Sequence, residues 1–178
     1  MLYTRTGDNG TSGLFGTAER LSKDSPVYDV LGALDEINSL LGYCRGCALK
    51  TIYKDVDIAV ELVNVQQCLF IMQAEIAGAK KTITQNHIEE LEHAISTIEA
   101  LIEDPKAFII PGATELSGLF DFARAVCRRV ERVLVGSQNN VEISGSMRAY
   151  INRLSSLLYV LARYTATQQE TKELSPLY

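Results

Sequence analysis

A chain of 178 residues with 47% apolar and 22% charged side chains can bury one hydrophobic core, and these proportions exclude a disordered or collagen-like protein. Its 17 Lys and Arg against 22 Asp and Glu give a formal charge of -5, which excludes the global basic field of a general nucleic-acid binder. No uncharged apolar run approaches the ~18 residues of a membrane span, and the polar, Gly-rich amino end resembles neither a signal nor a transit peptide, so a soluble cytoplasmic protein is expected.

The first two dozen residues are irregular. Tyr3-Thr4-Arg5-Thr6-Gly7-Asp8-Asn9-Gly10-Thr11-Ser12-Gly13-Leu14 concentrates hydroxyls, glycines and one carboxylate, with little to build a core. Glycines permit close backbone approach, and successive N–H groups with Thr and Ser hydroxyls cradle phosphate oxygens. The segment is therefore read as a polyphosphate site or as a flexible arm. It is neither a Walker A loop, because no Gly-Lys-Ser/Thr follows, nor a dinucleotide fingerprint, because no strand precedes it.

From there the chain reads as helix after helix. Leu31, Leu34, Leu41 and Ala48 recur at helical spacing behind Ser25-Pro26, predicting a first helix over 27 to about 48. Cys44 and Cys47 fall near its end, where reduced packing residues and a redox pair are the two readings; Cys68 and Cys127 stand alone. A second helix is predicted over about 55–79 and a third over 86–103, with Asn86 and Glu89 placed as a capping box and Asp104-Pro105 as the stop. A short extended connection at 108–112 precedes helices over 114–135 and about 141–169. No strand alternation or hairpin signal competes. The fold class expected is all-α: a five-helix antiparallel bundle with ferritin-like up-down packing. One domain spans 1–178, comprising a loop region 1–26, the bundle 27–169 and a tail 170–178.

Polar side chains collect on three of these helices. Arg124, Arg128 and Glu131 lie within about 60° on the fourth helix, with Arg132 one step further round, beside the core edge. A cleft-facing cation stripe and a solvated face are both compatible with that placement. On the fifth helix Asn152, Ser156, Tyr159 and Arg163 share a face suited to solvent or to subunit packing. Asp35 and Ser39 share a face of the first helix. His87 and His93 are the only histidines and lie far from the Cys44-Cys47 pair, which argues against zinc. Glu90-x-x-His93 matches half of the ligand pattern of a carboxylate-bridged metal bundle, but the second half is missing, so no metal is assigned to side chains.

Together, residues 3–14, Lys23 within 19–24, Gly32-Ala33-Leu34-Asp35-Glu36-Ile37-Asn38-Ser39, Phe108-Ile109-Ile110-Pro111-Gly112, the block 123–132 and Tyr150-Ile151-Asn152-Arg153-Leu154-Ser155 resemble the PduO-type ATP:cob(I)alamin adenosyltransferases, in that family's order. The resemblance spans Tyr3 to about Tyr164; Ala113 and Ser156 stand where the family usually has Gly and Asp. It implies a homotrimer with active sites between subunits that binds ATP with Mg2+ and a corrinoid such as cobalamin. Thr4, Arg5, Thr6, Gly7, Ser12 and Gly13 would wrap the triphosphate and Lys23 would contact phosphate. Arg128, Arg129, Glu131, Arg132 and Asn152 would complete the nucleotide site. On the corrinoid side, Asp35 and Arg124 would pair across the subunit interface, and Phe108 would abut the corrin ring. The catalytic set implied is Arg128, Asp35, Arg124 and Phe108.

The implied reaction moves the 5′-deoxyadenosyl group of ATP to the cobalt of cob(I)alamin, giving adenosylcobalamin and triphosphate. Prepositioned cations stabilise such a leaving group, and no general base is required. The alternative reading is a non-catalytic carrier that binds ATP and corrinoid and delivers adenosylcobalamin to a client enzyme.

Overall fold

Three of the helix starts in this chain, those behind Asp57, Thr114 and Ser144, are set by small polar residues that satisfy a first free amide. The computed structural model describes residues 3–177; Met1, Leu2 and Tyr178, which belong to the expected 1–178 span, lie outside the described residues. Pro26 opens α1 (Pro26–Ala48), where its missing N–H is no loss. Asp57 accepts from the Val60 amide at 3.1 Å and starts α2 (Ile58–Ile76) three residues later than periodicity predicts. The cap of α3 (Gln85–Glu99) is Thr84, whose amide donates to His87 Nδ1 at 3.1 Å. Asn86, read from the sequence as the cap, lies inside the helix and donates to Glu90 instead. α4 (Glu115–Ser137) begins with a reciprocal box in which Thr114 Oγ1 accepts from the Ser117 amide and Ser117 Oγ accepts from the Thr114 amide. α5 (Gly145–Gln168) starts at Ser144, which accepts from Met147 N–H at 3.2 Å, so the buried Val141 and Ile143 precede it.

The expected five helices are present. α4 packs against both α1 and α5, α1 also meets α2, and α5 meets α3. Leu34, Leu41, Phe120, Val130, Leu154 and Leu161 are fully buried along these seams. One element departs from the all-helical expectation. β1 (Thr11–Gly13) and β2 (Arg20–Ser22) form an antiparallel hairpin in which Ser12 pairs with Leu21. Three residues per strand are too few to show an alternating pattern, and cross-loop side-chain bonds hold this pair together. No helix among the described residues is long and apolar enough to cross a membrane.

All four cysteines are buried and unpaired as disulfides. Burial and the neighbouring Cys47 push the Cys44 thiol up to about 12, and burial with the Glu131 charge pushes Cys127 to about 12. A thiolate is the reactive form, so the raised Cys44 and the burial of both thiols favour packing over a redox couple. A thiol-selective disulfide reagent at neutral pH is expected to label fewer than one cysteine per native chain within minutes, and all four after unfolding in denaturant.

Candidate active site

The Thr- and Gly-rich loop owes its shape to cations that reach back into it. Arg20 donates from Nη2 to the carbonyls of Thr6 (2.7 Å) and Thr11 (2.8 Å), and from Nε to Thr11 Oγ1 (3.0 Å). Lys23 Nζ donates to the Gly7 carbonyl at 2.9 Å, and its amide donates to the Gly10 carbonyl. Tyr28 on α1 donates its hydroxyl to the Ser12 carbonyl at 2.6 Å, tying the hairpin to the bundle. Asn9 Oδ1 accepts from both the Thr11 amide and hydroxyl, and Gly10 turns at φ +79°, where a side chain is disfavoured. Arg5 holds a left-handed backbone (φ +59°) with its guanidinium over Tyr3, and Thr4 and Thr6 share a 2.8 Å hydroxyl contact. A cleft of about 560 Å³ opens over this loop, lined by Thr4, Thr6, Gly7, Ser12, Gly13, Arg20 and Lys23 among others. An ammonium has three donors, so Lys23 keeps donors for a ligand after bonding to Gly7.

On α4 the predicted stripe divides by what each cation touches. Arg128 and Arg132 are exposed and have no ion-pair or hydrogen-bond partner among the described residues. Arg129 is held by Glu36 of α1 in an ion pair that fixes it against the α1–α4 seam. Glu131 accepts from Asn152 Nδ2 at 2.9 Å, and Asn152 Oδ1 accepts from Arg153, whose Nε also meets Glu92 of α3. α4 and α5 thus present Glu131 and Asn152 as one fixed polar unit beside two unengaged guanidinium groups.

Phe108 is 78% exposed, unusual for a phenylalanine, and sits on the connection before α4. Gly112 turns that connection at φ +98°, and a Cβ on Gly118 would stand 3.1 Å from the Gly112 Cα, so the segment packs tightly on the first turns of α4. A cleft of about 570 Å³ lies here, lined by Phe108, Ile109, Pro111, Arg124, Tyr159 and Arg163 among others. Arg124 is half-buried with its Nε lacking a partner, and its guanidinium stacks 6.0 Å from the Tyr159 ring centre. Such a donor is costly to leave unmatched, and the half-buried Arg124 side chain lines the cleft.

One chain does not bring these parts into a single pocket. The loop cleft contains none of Arg128, Arg129, Arg132 or Asn152, and the Phe108 cleft does not include Asp35. Asp35 lies exposed on α1 and forms no ion pair with Arg124 within the chain. The polar face read on α5 also needs correction. Arg163 is 3% exposed, paired with Asp121 at 2.7 Å and with Glu173 at 2.8 Å, and turns away from solvent. Sequence reasoning missed Arg20, whose signal was a second cation in the same short segment as Lys23. It missed the Asp121–Arg163–Glu173 cluster altogether, because Asp121 sits among apolar neighbours and Glu173 in a motif-free tail. A further cleft of about 380 Å³ opens over Tyr150, lined by Glu61, Glu90 and His93 among others, apart from the residues above. Among the described residues no group of three His, Cys, Asp or Glu is placed to hold a metal.

Residues 2–165 match the family model described as cobalamin adenosyltransferase. The PduO corrinoid adenosyltransferase of Citrobacter freundii is 37% identical over 169 residues, covering 91% of this chain and 49% of that protein. A second corrinoid adenosyltransferase of Citrobacter freundii is 35% identical, covering 93% of this chain and 95% of its own length. The chain thus spans about half the length of the longer curated relatives and nearly all of a shorter one. Among solved structures, a variant PduO-type ATP:corrinoid adenosyltransferase from Lactobacillus reuteri, complexed with cobalamin and ATP, superposes with a TM-score of 0.87 at 27% identity and full coverage of both chains.

Proposed function

The chain belongs to the cobalamin adenosyltransferase family, and from that premise we propose that it transfers the 5′-deoxyadenosyl group of ATP to the cobalt of cob(I)alamin. The observation that carries this reading is a pair of partnerless guanidinium groups, Arg128 and Arg132, on the same helix as the half-buried Arg124 beside exposed Phe108. In a chain of net charge -5, exposed cations without carboxylate partners among the described residues suit an anionic leaving group, and the half-buried Arg124 beside an unburied aromatic suits a flat, partly apolar macrocycle.

Cob(I)alamin attacks the 5′ carbon of ATP; the Co–C bond forms as the C5′–O bond breaks, and the bonding pair leaves with the triphosphate. The growing negative charge is met by Lys23, by the amides around Gly7, Ser12 and Gly13, by the hydroxyls of Thr4 and Thr6, and by Arg5, Arg128 and Arg132. Arg129 joins them only by leaving Glu36, whereas Glu131 and Asn152 act as the fixed polar unit that orients the nucleotide. Mg2+ would accompany the triphosphate and supply further charge neutralisation on the phosphates, with the paired Thr4 and Thr6 hydroxyls as the hard oxygen donors that the loop cleft offers beside it. Phe108 covers one face of the corrin and keeps water from the metal.

The loop cleft and the α4 cations do not share one pocket, which supports the arrangement that the family resemblance implies: a site between subunits of a homotrimer, with the loop of one, the arginines of another, and Asp35 paired with Arg124 across the boundary. We place the reaction in the cytoplasm, upstream of an adenosylcobalamin-dependent client enzyme.

The test is anaerobic incubation with ATP, Mg2+ and chemically reduced cob(I)alamin. The visible spectrum reports adenosylcobalamin and a phosphate assay reports triphosphate. Equal amounts of both are expected. Tight binding of both substrates without either product would instead favour the carrier reading.

A further inference from the structure

Beneath the Phe108–Arg124 cleft lies a charge cluster that the nucleotide and corrinoid assignments do not use. The buried Arg163 donates from Nη2 to Asp121 Oδ2 at 2.7 Å, and its Nε lies 2.8 Å from Glu173 Oε1. The first contact is an aligned hydrogen bond; the second is a close ion pair without that alignment. A guanidinium removed from water needs such partners, because an unpaired buried charge is strongly destabilising. Arg163 Cζ also stands 5.1 Å from the Tyr159 ring centre, while Arg124 stands 6.0 Å from that same ring. Two cations share one ring because the carboxylates neutralise one of them.

Glu173 reaches this cluster by a sharp reversal of the chain. α5 ends in a Schellman motif, with Thr171 N–H donating to the Ala166 carbonyl at 3.1 Å and Glu170 N–H to the Thr167 carbonyl at 2.9 Å. The left-handed position that glycine usually takes is held by Glu170 at φ +52°. The reversed segment then places the Leu174 carbonyl on the Ile110 amide at 2.7 Å, just past Phe108. On the other side of Phe108, Lys106 is also left-handed at φ +52°. Non-glycine residues persist in that region only where surrounding contacts over-determine the backbone. At Glu170 the two Schellman bonds do so, and at Lys106 the amide donates to Asp104 Oδ1 at 3.2 Å, while the Glu173–Arg163 pair and the Leu174–Ile110 bond tie the two segments to the bundle and to each other.

We propose that the segment 170–174 is a brace for the proposed corrinoid side, in which Glu173 and Arg163 are positioning residues that hold Phe108 through the Ile110 backbone and Arg124 through the Tyr159 ring. This rests on reading the cleft as the place of the corrinoid. Neither residue touches the reacting atoms; each acts through a residue that does.

Arg163 is unsuitable as the first variant, because removing it strands the buried Asp121 and the half-buried Glu173. Glu173→Gln keeps the shape, removes the charge and leaves the aligned Asp121–Arg163 bond in place. Hydrogen–deuterium exchange on the ligand-free protein reads the brace directly. Amides of 106–112 are expected to exchange about tenfold faster in the variant, with the buried turns of α1 and α4 unchanged. In steady state the KM for cob(I)alamin should rise about tenfold while the KM for ATP stays within about twofold. Glu173→Asp should recover part of that loss, and in a Phe108→Ala background the Glu173→Gln effect should largely vanish, as expected for residues acting through one another. Unchanged exchange at 106–112 overturns the brace, and so does an equal rise in both KM values, which marks a structural role only. A wild-type protein that makes no adenosylcobalamin defeats the proposed function and not the brace, which the exchange experiment tests without ligand.

Discussion

Replacing Arg128 by alanine should lower kcat/KM for ATP by about 10²–10³-fold while leaving the bundle folded. Arg128 is exposed on α4 and engages no other described residue, so its removal strands no buried partner, and alanine suits a helix interior. Its whole contribution is therefore to the ligand. A charge-assisted contact to phosphate is worth about 1.5–3 kcal/mol, and a donor aimed at charge that develops in the transition state about 2.7–4 kcal/mol. Because the triphosphate gains charge as it leaves, kcat should fall along with kcat/KM. Arg128→Lys should lie between the two, keeping the charge but losing the paired, planar donors. Circular dichroism melts alongside steady-state kinetics separate loss of function from loss of fold. Wild-type kinetics in the alanine variant would remove Arg128 from the site.

Asp35→Asn should raise the requirement for cob(I)alamin by at least about 30-fold and change ATP saturation little. Within one chain Asp35 is exposed on α1 and the half-buried Arg124 beside Tyr159 forms no ion pair among the described residues, so each lacks the partner that the proposed interface supplies. Breaking a charge pair that is buried on assembly costs about 2–5 kcal/mol, much of it from the charge left behind. The discriminating variant is the exchange Asp35→Arg with Arg124→Asp, which restores opposite charges in the reverse sense. Partial recovery of corrinoid saturation relative to either single reversal supports pairing between subunits. A mass measurement in solution belongs with it, since the proposed pairing requires an assembly. If the double reversal behaves as the sum of the single ones, Asp35 and Arg124 do not pair.

The chain's helical periods were strong enough to read without coordinates, since α1, α2, α3, α4 and α5 each repeat apolar residues at three and four. Their ends were read less well. Asn86 looked like a cap because it stands three residues before Glu89, yet Thr84 caps α3 with His87, whose ring nitrogen does the work usually given to a carboxylate or amide. The β1–β2 hairpin escaped because Arg20 holds it through side-chain to backbone bonds, which leave no periodic trace.

The same division runs through the site. The order of residue types along the chain suffices to place Thr4 to Gly13, Lys23, Phe108 and the α4 arginines in one family pattern, because motif chemistry is local and survives in linear spacing. Linear spacing is silent on which of those cations is free. Arg128 and Arg132 have no partner among the described residues, Arg129 is held by Glu36, and Arg163 is buried between Asp121 and Glu173, although all four read alike as arginines on amphipathic helices. Charge neutralisation depends on which side chains meet after α1, α4, α5 and the tail have packed, across separations that no helical period spans. The sequence therefore carries the helices and the kind of ligand, while packing assigns each charge to a partner, to the core or to the cleft.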